Sequence, residues 1–219
     1  MKFKCLILDH DDTSVESTAL IHYPAHQEVM KRLRPNHPTI QLEEWYLKNF
    51  TPGIMEYMTG ELRFSEDEIL EEYRIWREFT EERIPDFFPG YLEILEEFKE
   101  KGGIITVVSH SEEDLIRRDY RHAGAENLPE IVFGWNFDPT KRKPHPYPVM
   151  EILRQYNLEP SEALILDDLK PAVQMSRSSN VPIAAAGWGH NIPQIRSYMK
   201  QNCQYYLNTI QEFRSLVFS

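Results

Sequence analysis

Two short apolar runs that each stop at a pair of carboxylates carry most of the chemical information in this chain. Residues 6–13 read LILDHDDT: the run ends at Asp9, Asp11 follows two residues on, and Thr13 stands close behind. Residues 163–166, ALIL, stop in the same way at Asp167 and Asp168. Carboxylates held side by side at a strand end repel each other unless a cation or a proton sits between them. Such an arrangement suits a site that binds Mg2+ and performs nucleophilic and acid/base chemistry on a phosphate. One such ending alone reads equally well as a strand running into an acidic turn. Two in one parallel sheet are more telling, because parallel strands deliver their C-terminal ends to a single edge where ligands bind.

Two further pieces lie between them. The run 104–108, IITVV, ends in Ser109, His110 and Ser111. Lys143 precedes Pro144-His145-Pro146, a lysine set just before a helix start in which proline supplies the first turn. Taken together and in this order, the four pieces resemble the haloacid dehalogenase-like (HAD) superfamily of phosphohydrolases. The matching motifs are Asp9-His10-Asp11-Asp12-Thr13 for D-x-D-x-T, Ser109 at the second strand end, Lys143 in K-P-x-P, and Asp167-Asp168 for the DD form of the fourth motif. The resemblance runs across nearly the whole chain. It is best with the subgroup that carries a helical cap between motifs one and two, which includes phosphoglycolate phosphatase.

The resemblance implies a role for each residue. Asp9 is the expected nucleophile, forming an aspartyl-phosphate, and Asp11 the expected general acid and then base. Mg2+ would be held by Asp9, by the backbone carbonyl of Asp11 and by Asp168. Ser109 and Lys143 would bind the transferring phosphoryl group, with His110 beside them in the substrate-binding set. Counting charge, a phosphate dianion with ionised Asp9 and Asp168 brings about −4 against about +3 from Mg2+ and Lys143. An ionised Asp167 among the metal ligands would tip that balance, so Asp167 is expected to orient water or Lys143 instead. Two positions depart from the family pattern. Asp12 replaces a common glycine, and Ala172 removes the longer GDxxxD form of motif four. The second aspartate, Asp11, argues against dehalogenase chemistry.

Other residues read more plainly. His22 and His26 are four apart, but Pro24 between them is expected to spoil a common zinc-binding face. Lys141 and Arg142 compete with Lys143 for the motif-three role, yet only Lys143 directly precedes Pro-x-Pro. The Trp and Tyr residues of the first half read as core, and the acidic run 66–72 as a solvated face.

The elements that must position these groups follow from pattern. The fold class expected is α/β: a Rossmann-like parallel-sheet core of residues 1–14 and 86–219, with an inserted helical cap of residues 15–85. In the cap, Pro24 opens a helix to about Arg34, Thr39 caps a second, and Ser65 with Glu68 forms a capping box for a third. Ile69, Tyr73, Trp76 and Thr80, with Leu70 and Phe79, give that third helix an apolar face. In the core, Pro89-Gly90 starts a helix that stops at Gly102-Gly103, and Ser111 with Asp114 caps the next. A helix follows over 147–156, strands over 131–133 and 181–186, the latter before Gly187-Trp188-Gly189-His190, and an edge strand closes the chain near 203–207. The cap segments 17–26 and 51–53 are the expected readers of the substrate's leaving half.

Composition narrows the class. With 219 residues, 41% hydrophobic and 12% aromatic, the chain buries a core of ordinary globular size. A net charge of −11 argues against a nucleic-acid partner, which requires clustered Lys and Arg. No apolar stretch approaches the ~20 residues of a membrane span, and no signal-peptide pattern opens the chain. Cys5 and Cys203 are expected to be reduced thiols in a cytoplasmic protein. The expected partner is therefore a small phosphorylated metabolite, phosphoglycolate among the candidates; no signal sets an oligomeric state. A phosphomutase of the β-phosphoglucomutase type, or a non-catalytic regulatory protein on the same fold, are the competing readings.

Overall fold

The computed structural model describes residues 1–219. Six strands form one all-parallel sheet: β1 (Cys5–Leu8), β2 (Ile104–Val108), β3 (Ile131–Phe133), β4 (Ala163–Asp167), β5 (Ile183–Ala186) and β6 (Tyr205–Leu207). Their order is β3-β2-β1-β4-β5-β6, so the chain steps outward from β1 first to one side and then to the other. All of β1 and β4 is buried, which is why both read as unbroken apolar runs rather than alternating ones. This is the Rossmann-like α/β class, and the order reverses at β1, the strand that Asp9 directly follows.

Register explains why acidic strand ends converge. Leu8 pairs with Leu166 on one side and Val107 on the other, and the Asp9 amide donates to the Leu166 carbonyl at 2.9 Å. One residue beyond these pairs, Asp9 and Asp167 stand side by side, with Asp168 and Ser109 a further step along.

The chain divides into two compact units, Met1–Glu16 with Asp86–Ser219, and Ser17–Pro85. The first contains the whole sheet. Its core is built from strand residues such as Leu6, Leu8, Ile105 and Leu164 against Leu95, Phe98, Tyr120 and Phe213. The two connections to the insert leave it side by side: the Glu16 amide donates to the Asp86 carbonyl at 3.0 Å, and Phe88 donates to Ser14 at 3.1 Å. Cys5 is buried and Cys203 half-buried, and both thiols are free. No helix is long and apolar enough to cross a membrane.

The second unit is helical: α1 (Tyr23–Leu33), α2 (Leu42–Phe50), α3 (Ile54–Glu56) running into a widened turn at Tyr57–Glu61, and α4 (Glu66–Glu82). It has its own core of Val29, Met30, Trp45, Tyr57, Met58, Leu62, Phe64 and Ile75. Ser65 and Glu68 make the expected capping box at the start of α4, each satisfying the other's amide.

Several local expectations need correction. Thr39 does not cap α2, whose N-cap is Gln41 in extended conformation. Along α4 the deeply buried apolar residue is Ile75, while Leu70 points to solvent. Pro24 lies in the first turn of α1, as expected, but it does not mark where the helical path begins. A π-helical turn at Thr18–His22 leads straight into α1, and its widened spacing accommodates the residue that lacks an N–H. The helical path therefore continues from His22 to His26, yet the two rings take different partners. His22 Nδ1 accepts from Trp76 Nε1 at 3.0 Å, and His26 stacks on Trp45 with centroids 4.0 Å apart.

The acidic run is not uniformly solvated either. Protein packed around Glu72 pushes its carboxyl up to about 7. A carboxylate raised on folding gives up stability as pH climbs from its unfolded value of about 4.3 toward the folded one. Glu72→Gln is therefore expected to stabilise the protein at pH 8 by about 1 kcal/mol, allowing for the solvent that still reaches the side chain, with no gain at pH 4. Thermal unfolding at the two pH values measures this.

Candidate active site

After the sheet come the helices that flank it: α5 (Tyr91–Glu100), α6 (Glu113–His122), α7 (Tyr147–Tyr156), α8 (Lys170–Ser179), α9 (Pro193–Asn202) and α10 (Ile210–Val217). The loops from β1, β2 and β4 into the following segments, with the approach to α7, bring together Asp9, Asp11, Ser109, Lys143, Asp167 and Asp168. Lys143 is the centre of the cluster. Its Nζ lies 2.6 Å from Asp9 Oδ1 and 2.8 Å from Asp167 Oδ2, and all three side chains are buried. Its rivals are committed elsewhere: the Arg142 guanidinium lies 3.7 Å from the Trp135 ring centroid, and Lys141 faces Asp138 at 4.0 Å.

One oxygen from each of Asp9, Asp167 and Asp168 lies within 4.8 Å of the others. Burial, and then the neighbouring Asp9 carboxylate, raise both Asp167 and Asp168 well above the usual carboxylate range, with Lys143 pulling the other way. Burial opposes the charge on Lys143, but Asp167 and Asp9 outweigh it and hold the ammonium above its ordinary value. One buried ammonium among three carboxylates leaves the cluster short of positive charge. An all-oxygen, electron-rich donor set of this kind fits a small hard divalent cation such as Mg2+.

Asp167 also accepts the Leu169 amide at 2.9 Å, so both of its oxygens are engaged, one with Lys143 and one with backbone. Thr13 Oγ1 stands between the two acidic strand ends, 3.4 Å from Asp9 Oδ2 and 3.5 Å from Asp168 Oδ1. The Ser14 hydroxyl donates to the Asp9 backbone carbonyl at 2.6 Å and lies 3.0 Å from the Tyr91 hydroxyl, fixing the start of the loop from below. Asp12 takes a left-handed φ of 54°. That conformation explains why glycine is the common residue there, and aspartate is among the few others that tolerate it.

Asp11 is turned toward the end of β2. Its Oδ2 accepts from Ser111 Oγ at 2.6 Å and lies 3.4 Å from Ser109 Oγ, while Ser109 Oγ accepts the Ser111 amide at 3.1 Å. Ser111 is thus no helix cap: the N-cap of α6 is Glu112, without a side-chain cap bond. His110 Nε2 donates to the Lys143 carbonyl at 3.0 Å, the carbonyl being acceptor only. The residue remains exposed as a whole, yet surrounding protein and the Lys143 charge hold its imidazole below its ordinary value. Its ring therefore braces the backbone of the lysine as a neutral group.

Two further histidines reach the site: His10, inside the first motif but without an assigned role, and His190, which lay outside the sequence reading of the site. His10 Nε2 is 3.0 Å from Asp119 Oδ2, tying the Asp9–Asp11 loop to α6, and Arg118 holds the other Asp119 oxygen at 2.7 Å. His190 Nε2 is 3.2 Å from Asp168 Oδ2. Burial depresses the His190 imidazole, with Asp12 acting in the opposite sense. The available signal for His190 was its place: it follows the end of β5, on the edge where the other strand ends gather.

A parallel α/β sheet with a lysine-bridged carboxylate cluster at its switch-point strand defines a class of hydrolase fold, and the comparisons with known proteins agree. The sequence pattern of the haloacid dehalogenase-like hydrolases matches residues 6–186. The chain belongs to that family. A phosphoglycolate phosphatase of Thiobacillus denitrificans is 22% identical over 197 residues, covering 87% of this chain and 86% of the relative. Among solved structures, a predicted phosphoglycolate phosphatase of Haemophilus somnus 129pt superposes with a TM-score of 0.80 at 19% identity, over 99% of this chain and 98% of that one. CbbY of Rhodobacter sphaeroides, solved in complex with phosphate, superposes with a TM-score of 0.73 at 17% identity, over 96% of each chain. At these identities the structures establish the shared fold.

The electrostatics generate a prediction. A buried carboxyl raised on folding loses stability as pH rises above its unfolded value of about 3.9, so Asp168 costs the protein stability at neutral pH. Asp168→Asn is expected to raise the thermal unfolding midpoint in EDTA at pH 7 by a few degrees. The gain should vanish near pH 4, a comparison that calorimetry makes directly.

Proposed function

We propose that the protein is a Mg2+-dependent phosphatase of small phosphorylated metabolites, acting through an aspartyl-phosphate on Asp9. The observation that carries the reading is the Asp9–Lys143–Asp167 bridge beside Asp168, a buried cluster with three carboxylates and one ammonium. Asp9 and Asp168 would hold the metal with the Asp11 carbonyl, and the ion would supply charge neutralisation of the phosphoryl oxygens.

The chain's own residues account for the remaining chemistry. An Asp9 carboxylate oxygen attacks phosphorus as the bond to the leaving oxygen breaks, and Asp11 gives that oxygen its proton. Water then attacks phosphorus, Asp11 takes its proton, and the Asp9–phosphorus bond breaks to release inorganic phosphate. Ser111 and Ser109 hold the Asp11 carboxyl between these two transfers. Lys143 offsets charge on the transferring group, Asp167 fixes Lys143, and His110 braces it from the backbone. Residues 15–85 are read as the cap domain that such enzymes use for substrate choice. The similarity to the Thiobacillus phosphoglycolate phosphatase makes phosphoglycolate the first ester to try. Two free thiols accord with a cytoplasmic location.

Phosphate release from a panel of small phosphate esters, in Mg2+ or EDTA, tests the reading. Release is expected with Mg2+ alone, and Asp9→Asn is expected to lower it by on the order of 10³-fold or more. Release that persists in EDTA or in Asp9→Asn overturns the mechanism. Isomerisation of a sugar phosphate without net release points to a mutase instead.

A further inference from the structure

The turn at residues 187–190, reading GWGH after β5, lies outside the mechanism above, yet three of its four residues reach the site loops. Trp188 Nε1 donates to the Thr13 carbonyl at 3.0 Å. Gly189 lies so close to the Asp9–Thr13 loop that a Cβ there would stand 1.9 Å from the Asp12 carbonyl oxygen, so no larger residue fits without moving that loop. His190 brings Nε2 to 3.2 Å from Asp168 Oδ2, an approach of ion-pair range outside hydrogen-bond geometry, with the side chain 6% exposed. On its outer side Gly187 is pinned too: its amide donates to Leu207 at 2.8 Å, and a Cβ would meet the Tyr206 ring at 2.5 Å.

Separate contacts from one short turn thus touch the two loops that carry Asp9 and Asp168. We propose that residues 187–190 are a positioning element of the catalytic site, in which His190 sets the orientation of Asp168 for the metal and Trp188 clamps the loop bearing Asp9 and Asp11. The inference deepens the phosphatase reading and rests on it. Its logic is that of a partner behind a metal ligand. With Oδ2 of Asp168 facing the imidazole, Oδ1 is the oxygen near Thr13, and the packed imidazole limits how the carboxylate can turn. Groups that orient metal ligands in this way commonly contribute 10–100-fold to metal affinity, about that range being expected here. His190 and Trp188 touch ligand and loop, respectively, and are positioning residues.

The test is Mg2+ binding to the full-length protein by titration calorimetry, with steady-state kinetics on the preferred ester alongside. His190→Ala is expected to weaken Mg2+ binding by about 10–100-fold. His190→Gln, which carries an N–H to nearly the same place, should recover most of the loss. Trp188→Phe, which keeps the ring and removes only the N–H, should lower kcat several-fold with little change in KM. Unfolding midpoints in EDTA within a few degrees of wild type establish that the variants fold. Unchanged Mg2+ affinity in His190→Ala overturns the proposal, as does an equal loss in His190→Ala and His190→Gln, which would mark a packing role. A wild type that binds Mg2+ and hydrolyses esters beside an unaffected His190→Ala sinks this inference alone. A wild type that binds no Mg2+ sinks the phosphatase reading with it.

Discussion

Mutual repulsion among Asp9, Asp167 and Asp168 is the constraint around which the rest of the molecule is arranged. Their oxygens lie within 4.8 Å of one another in buried surroundings, where like charges interact far more strongly than in water. Lys143 answers part of that repulsion and is itself buried, so neither the lysine nor its carboxylate partners are tolerable alone. The left-handed Asp12, the Ser14 bond to the Asp9 carbonyl, the His110 brace and the Leu169 amide on Asp167 all hold this charged group in one geometry. Stability is surrendered locally at this acidic cluster, and the apolar sheet beneath offsets the loss.

The sheet achieves this through register rather than through any special element. Because β1 is paired to β2 and β4 without offset, the residues just past the last ladder positions are automatically neighbours. Shifting one strand by a single residue would turn its acidic end to the opposite face and disperse the cluster. The continuous burial of β1 and β4 makes the register insensitive to surface change.

Much of this was legible in the residues, and the reasons differ by element. One apolar run cut off by paired aspartates is ambiguous, but two of them in one parallel sheet made Asp9, Asp11, Asp167 and Asp168 stand out, and Lys143 was marked by its prolines. Ser111 was hidden because a serine followed three residues later by an acid is also how a helix begins; tertiary contact with Asp11 outweighed the local cap. Pro24 correctly marked the first turn of α1, but no local pattern announced the π-helical turn at Thr18–His22 that precedes it. Ser14, Asp119 and His190 act through contacts 5 to 109 residues apart in sequence or across strands, and no spacing rule reaches them. Glu72 was masked by its own acidic neighbours.

The paired exit strands at the base of the insert carry an evolutionary consequence. Glu16 and Asp86 are joined by a 3.0 Å hydrogen bond, so 69 residues begin and end at almost the same point in space. A segment with adjoining ends can be lengthened, shortened or replaced while the strand pairings on either side of it persist, because the entropy of closing a loop grows only slowly with its length. Domain insertions are tolerated at such places. The seam thus lets the host sheet hold its chemistry fixed across a lineage while the grafted helical module diverges at its own pace.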